Sequence, residues 1–295
     1  MMKNKESGSI YGKKKRIGDK VLYGLIYFCA FITVALLAGM IGYVVVNGIG
    51  KINLTFIFTQ GSALENTVGI AGNILNTIYI IVLTLLIAVP LGVGSAIYLN
   101  EYAKPGKLVD LINFTTETLS GIPSILFGLF GMMFFGRSLG LSYSILTGAL
   151  TLALMVLPLI TRNTQDALSS VPDGYRSGAL GMGATKWYMI RTILLPSAMP
   201  GIVTGVILAI GRIVGESAAL LFTAGSDNLL PGLRLQDYLD KILESGGTLT
   251  IQMYLSMQKG EYGTAFGIAV ILLLIVLGIN MLARYISHRF HPDKQ

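Results

Sequence analysis

The sequence predicts an all-α polytopic membrane protein with six transmembrane helices and both termini on the cytoplasmic side. Three observations carry that expectation. Of 295 residues, 53% are hydrophobic and 13% charged, against about 25% charged in an average soluble domain. Six apolar stretches are each long enough to cross a bilayer. The basic residues gather in alternate connections between those stretches. A mean hydropathy of +0.68 excludes a disordered chain, and 36 glycines without a three-residue period exclude collagen.

The chain opens on a basic tail, residues 1–20, containing Lys13-Lys14-Lys15-Arg16. Such a run sets orientation and contacts anionic membrane lipid, and no nucleic acid partner is expected for a chain with six spans behind it. The first span, Val21 to Val46, exceeds the roughly 7 to 15 residues of a signal-peptide core, and no small-residue cleavage site follows it. It is therefore expected to be retained. A bilayer core of about 30 Å takes about 20 helical residues, and five further stretches meet that length: Ile74 to Leu99, Thr118 to Phe135, Tyr143 to Ile160, Gly201 to Phe222 and Ala265 to Ala283. Glycines and a proline interrupt the third and fourth. With the N-terminus inside, 16 Lys and Arg face the cytoplasm and five face outward, the positive-inside bias of a membrane protein with both termini inside.

This divides the chain into the tail, the first helix at 21–46, an extracytoplasmic loop at 47–73, a five-helix core at 74–285, and a cytoplasmic tail at 286–295. Within the core lie an inner loop at 162–199 and an outer loop at 224–263. In the outer loop, Leu235, Tyr238, Leu239, Ile242 and Leu243 share one helical face, which fits a short amphipathic helix either lying in the headgroup layer or docking a partner.

Chemistry is sparse. Cys29 is the single cysteine, and His288 and His291 sit in a basic tail, so neither a disulfide framework nor a metal site is expected. No phosphate-binding loop is present. Gly181-Met182-Gly183 begins a dinucleotide-type run, but Lys186 stands where its last glycine belongs. No cofactor, ATP site or enzyme activity is expected in this chain.

The inner loop is more informative. Val171-Pro172-Asp173 starts a helix, Gly183 breaks it from a second short helix, and Pro196 ends that helix before the next span. A helix-break-helix along the inner face suits docking of a soluble partner, with Lys186 and Trp187 either on that surface or anchored among lipid headgroups. In the fifth span, Arg212 and Glu216 stand four apart and can pair on one helical face. A charge at the bilayer centre costs about 2.5 to 3.5 kcal/mol on insertion scales, so the pair lines a substrate path or locks the span to a neighbour. Gly121-Ile122-Pro123-Ser124 either breaks span three, aiming a half-helix N-terminus at an anion, or is a packing kink. Pro90 and Pro158 read as kinks.

Gly183, nine residues, then Ile193-x-Leu195-Pro196 resembles the coupling motif of the membrane permeases of binding-protein-dependent ABC importers. That motif begins Glu-Ala-Ala, three residues, Gly, so its opening aligns with Ser177, Gly178 and Ala179, and the glutamate is missing. Gly121 to Phe130 and Gly211 to Gly225 are similar to the phosphate importer permeases. Leu221-Phe222-Thr223-Ala224 and Leu249 to Tyr254 look like the PstA-type member. The resemblance covers roughly residues 70 to 285.

It implies a type I ABC importer permease fold and a heterodimer with a PstC-type permease. It also implies two PstB-type ATPase subunits that bind ATP and magnesium, and a periplasmic or lipid-anchored phosphate-binding protein. Residues implied along the path are Arg212, Glu216, Ser217 and Ser124; those implied for ATPase coupling are Ser177, Gly178, Ala179, Gly183, Lys186, Trp187, Ile193, Leu195 and Pro196. Rival readings are a permease for another oxyanion, such as molybdate or phosphonate, and a channel or secondary carrier working alone, which leaves the inner loop unexplained.

Overall fold

The computed structural model describes residues 17–62, 67–232 and 234–289. The Lys13 to Arg16 run and His291 lie outside them. The chain divides into two compact units, residues 1–46 and 47–295. The first carries most of helix α1 (Ile17–Gly48).

The second unit begins with a 3-10 turn (Ile49–Lys51), α2 (Leu54–Phe58) and an antiparallel ribbon of β1 (Gln60–Ser62) and β2 (Thr67–Ile70), with Gln60 opposite Ile70. Helix α3 (Ala71–Ile97) runs on through a π turn (Tyr98–Tyr102) to α4 (Lys107–Ser120). After α5 (Ser124–Gly131), a second π segment (Met132–Ser138) precedes α6 (Ile145–Ser169). Next come α7 (Asp173–Gly181), α8 (Lys186–Met189), a third π turn (Ile190–Leu194) and α9 (Leu195–Gly215). Helices α10 (Ala218–Thr223), α11 (Leu235–Asp240), α12 (Leu249–Gln258) and α13 (Tyr262–Arg289) complete the unit.

Among the described residues, five helical runs are long and apolar enough to span a membrane: Lys20–Lys51, Ala71–Tyr102, Ile145–Ser169, Lys186–Gly215 and Tyr262–Tyr285. The sixth expected span is not one helix. Lys107–Ser120 and Ser124–Ser138 meet at 101°: Pro123 has no N–H to continue the first helix and stands between the two with extended backbone (φ −56°, ψ 136°). The expected break at Gly121 to Ser124 is thus a sharp elbow.

The fifth span differs from expectation at both ends. It begins at Lys186 rather than Gly201, so Pro196 does not end a short helix. The π turn ahead of it has already widened the helix, and Leu195 N–H bonds Ile190 O. Pro196 enters at the first turn of α9, where its missing donor is least costly. The span ends at Gly215, short of Phe222.

Lipid tails are as apolar as leucine, so helices here associate through close packing and hydrogen bonds rather than water exclusion. α3 and α6 form the most extensively packed helix pair. Ile80, Ile81, Leu152, Val156 and Ile160 interlock with Ala209 and Ile213 of α9 and Ile268 of α13. A smaller cluster of Leu168, Val171, Met189, Ile190, Leu194 and Ala198 lies where α6 gives way to α7 and α8.

At the opposite end, the 224–263 loop is stitched to α3. Asn73 Nδ2 donates to Gly247 O (2.9 Å), Asn76 Nδ2 to Asp227 O (3.0 Å), and Leu249 N–H to Thr77 Oγ1 (3.0 Å). In the expected amphipathic face, Leu235, Tyr238, Leu239 and Leu243 are exposed, while Lys241 is only 1% exposed and donates to Ser245 O. The segment is fastened by its lysine and by Tyr79 Oη bonding Tyr238 O (3.1 Å). Of its apolar face only Ile242 is half-buried; the other four side chains are exposed.

The tightest interhelix approach between broken segments is at Gly128 of α5. A Cβ there would lie 2.7 Å from Ala219 Cα, a backbone atom of α10. Gly128→Val is expected to lower stability by about 1 to 3 kcal/mol through overpacking, seen as a lower melting temperature in detergent; an unchanged melt would show that α5 and α10 are not held at this spacing.

Candidate functional site

Two helix breaks dictate the geometry of the expected path. α9 stops at Gly215, and Glu216 takes extended backbone (φ −81°, ψ 125°). A chain broken at membrane depth leaves donors and acceptors that water does not reach. Glu216 supplies the remedy. Its Oε1 accepts Ala219 N–H of α10 (3.0 Å), and its own carbonyl accepts the Thr250 hydroxyl of α12 (2.9 Å). The expectation that Arg212 and Glu216 pair on one helical face is therefore corrected. Their i, i+4 spacing brings side chains together only in a continuous helix, and no ion pair joins them among the described residues.

Arg212 is left exposed on α9, off the buried stripe of Ala198, Ile202, Ala209 and Ile213, and makes no hydrogen bond or ion pair among the described residues. Ser217 and Ser124, each just after a break, are half-buried, and their hydroxyls have no partner there either. The breaks share a neighbourhood because α5 packs on α10. The site thus offers one guanidinium with free donors, beside a carboxylate already committed to the backbone.

The residues expected to couple to an ATPase form a corner. α7 leaves α6 through Ser170, Val171 and Pro172 and ends in a turn where Gly183 adopts φ +82°. Gly183 N–H bonds Leu180 O and Ala184 N–H bonds Ala179 O, a left-handed helix stop that favours glycine. Ser177 Oγ donates back to Asp173 O (3.1 Å), Gly178 faces open space, and Ala179 packs half-buried against the smaller cluster. Lys186 Nζ stands 4.9 Å from the Tyr102 ring centre, and Trp187 is 61% exposed. Ile193 and Leu195 are half-buried and Pro196 is exposed.

Two ion pairs escaped the sequence reading. Arg162 of α6 bonds Glu117 of α4, and Arg176 of α7 bonds Glu101 at the end of α3 (2.9 Å). The partners stand 45 and 75 residues apart, so no local spacing announces them. The only signal was the isolation of Glu101 and Glu117 near apolar runs.

Residues 88–292 match the family model described as binding-protein-dependent transport system inner membrane component. The chain belongs to that family. It is accordingly a multi-pass membrane permease of ABC type. Among its relatives, the probable ABC transporter permease protein YqgI of Bacillus subtilis is 37% identical over 284 residues, covering 92% of this chain and 96% of that one. The phosphate transport system permease protein PstA of Haemophilus influenzae is 32% identical over 230 residues, 78% of this chain and 80% of that one. A solved bacterial alginate ABC transporter in complex with a pentasaccharide-bound periplasmic protein has the same fold, with TM-score 0.66 at 18% identity over 93% of this chain and 96% of its own.

The permease's unequal use of its two charges is testable without transport. Glu216→Ala is expected to cost about 1 kcal/mol by uncapping α10, whereas Arg212→Gln leaves the melting temperature in detergent unchanged. Equal losses from both would restore the paired reading.

Proposed function

We propose that this permease is the PstA-type half of the membrane path of an ATP-driven importer of inorganic phosphate, the other half being a related PstC-type permease. Two PstB-type ATPase subunits, which bind ATP and magnesium, dock on the α7–α8 corner. A phosphate-binding protein delivers substrate at the end carrying α11 and α12. Membership of the family supports an ATPase and a binding protein as partners, and relatives named as phosphate transport permeases support phosphate as the substrate.

One observation carries the reading within the site: Arg212 is a spanning-helix arginine that is exposed and has no partner among the described residues. Such a charge is too costly to leave in lipid. It belongs on a water-filled path or against the second permease, and a planar donor fork matches a tetrahedral oxyanion. The Lys and Arg asymmetry supports the α7–α8 corner facing the cytoplasm, where ATP is available. Alternating access follows: closure of the ATPase pair moves the corner, and the broken spans re-pack around the arginine.

The test is phosphate uptake by the whole complex in liposomes, with ATP inside and binding protein outside. Arg212→Lys is expected to assemble and hydrolyse ATP yet lose about tenfold or more in uptake, because an ammonium cannot reproduce the fork. Full uptake by both Arg212→Lys and Arg212→Gln would remove Arg212 from the path. Uptake of molybdate or a phosphonate in place of phosphate by the unaltered complex would overturn the substrate.

A further inference from the structure

Arg176 spends every nitrogen of its guanidinium on holding α7 to its neighbours. Nε and Nη2 donate to Glu101 Oε1 (3.2 and 2.9 Å), Nη2 also to Leu168 O (2.9 Å), and Nη1 to Val171 O (2.8 Å) and Asp173 Oδ1 (3.2 Å). Leu168 lies in the last turn of α6 and Val171 just beyond it; Leu168 O also accepts Val171 N–H (3.3 Å), and Arg176 adds a second donor there. Glu101 sits in the π turn that ends α3, with its side chain 5% exposed. It also accepts Asn100 Nδ2 (2.9 Å), and Asn100 Oδ1 accepts the Ser169 hydroxyl (3.0 Å). One polar knot therefore ties the ends of α3 and α6 to α7.

Beyond Arg176, α7 has no buried side chain; Ala179 packs half-buried against the smaller cluster, and the helix lies between Pro172 and the left-handed Gly183. With so few buried contacts along it, its position depends strongly on the polar tie. Stability is a weak account of the knot, since a buried ion pair often contributes no more than apolar side chains of similar volume. Geometry is the better account.

We propose that the Arg176–Glu101 pair is the latch that makes α7 move as one body with the α3–α6 pair, so that Arg176 and Glu101 are positioning residues for coupling ATP hydrolysis to transport. The proposal rests on the reading of α7 as the ATPase contact. Without the latch, a push on α7 is spent in rotation about Pro172 and Gly183. With it, the push reaches the two helices that carry the core.

The test uses the whole complex and two readouts. Nitroxide labels at Gly174→Cys in α7 and Ser95→Cys in α3, in a Cys29→Ser background, report the distance between the two elements by pulsed electron resonance. Expected for unaltered Arg176 is one narrow distance, the same without nucleotide and with a non-hydrolysable ATP analogue. Arg176→Gln is expected to broaden it, and to lower phosphate moved per ATP hydrolysed by about tenfold, equivalent to about 1.4 kcal/mol of coupling, while the ATPase subunits still co-purify. Should Arg176→Gln not assemble, Glu101→Gln, which keeps volume and an acceptor, is read the same way. A distance that shifts with nucleotide in the unaltered complex, or stays narrow with an unchanged transport ratio in the variants, overturns the latch. If the unaltered complex moves no phosphate, the substrate reading fails while the distances still decide the latch.

Discussion

Backbone polar groups have no water to turn to inside a bilayer, so each place where this chain leaves the helix needs a side chain to complete it. The irregular points are where its polar residues are consumed. Glu216 caps α10 across the break after α9, and Thr250 answers the Glu216 carbonyl. Asn73 and Asn76 bond the carbonyls of the 224–263 loop where it crosses α3. Ser144 caps α6, while its own N–H reaches Thr223 O at the end of α10. Arg176 closes the other end of α6. The breaks persist because their orphans are answered by neighbouring elements, and each answer fixes one element against another.

This accounting separates polar groups that hold the fold from those left over. Glu216 looks like a functional charge by position but serves as a cap. Arg212, four residues earlier, holds nothing among the described residues. Arg162 and Glu117 satisfy each other while both remain more than half exposed, so they neutralise charge on a face this chain does not cover. On the proposed reading as one half of a path, such a face is left for the second permease, and Arg212 there is meaningful because its nearest carboxylate in sequence is otherwise engaged.

The spans were legible because hydropathy and length depend only on the bilayer, and the elbow at Pro123 and the turn at Gly183 because each rests on a backbone rule about one residue. What the sequence hid depended on contacts or on continuity. An i, i+4 spacing in Arg212 and Glu216 presumes an unbroken helix, and nothing local marked Gly215 as its end. Pro196 read as a stop because the preceding π turn that accommodates it has no simple residue signature. Lys241 falls between the apolar positions of α11 and of the 3-10 turn that follows it (Lys241–Leu243), as a solvent-facing lysine does, yet the loop closes over it. The Arg176 knot needed two residues 75 apart to meet, which only the packing of α3 against α6 arranges.

These features give the core a direction of force. α3 and α6 share the longest interface and are pinned at one end by the loop that binds Asn73, Asn76 and Thr77, and at the other by the Arg176 knot. Lying alongside, α5 and α10 are short, follow breaks, and meet at Gly128 and Ala219 with no room for a side chain between their backbones. A rigid pair bordered by two short, closely packed half-helices bends most easily at the breaks, because long helices resist curvature and extended residues such as Pro123 and Glu216 do not. On the proposed reading of α7 as the ATPase contact, motion entering there is concentrated where Ser124, Ser217 and Arg212 flank the breaks. On the proposed path, the place where the chain is least regular is thereby the place where a small displacement most changes what an anion meets.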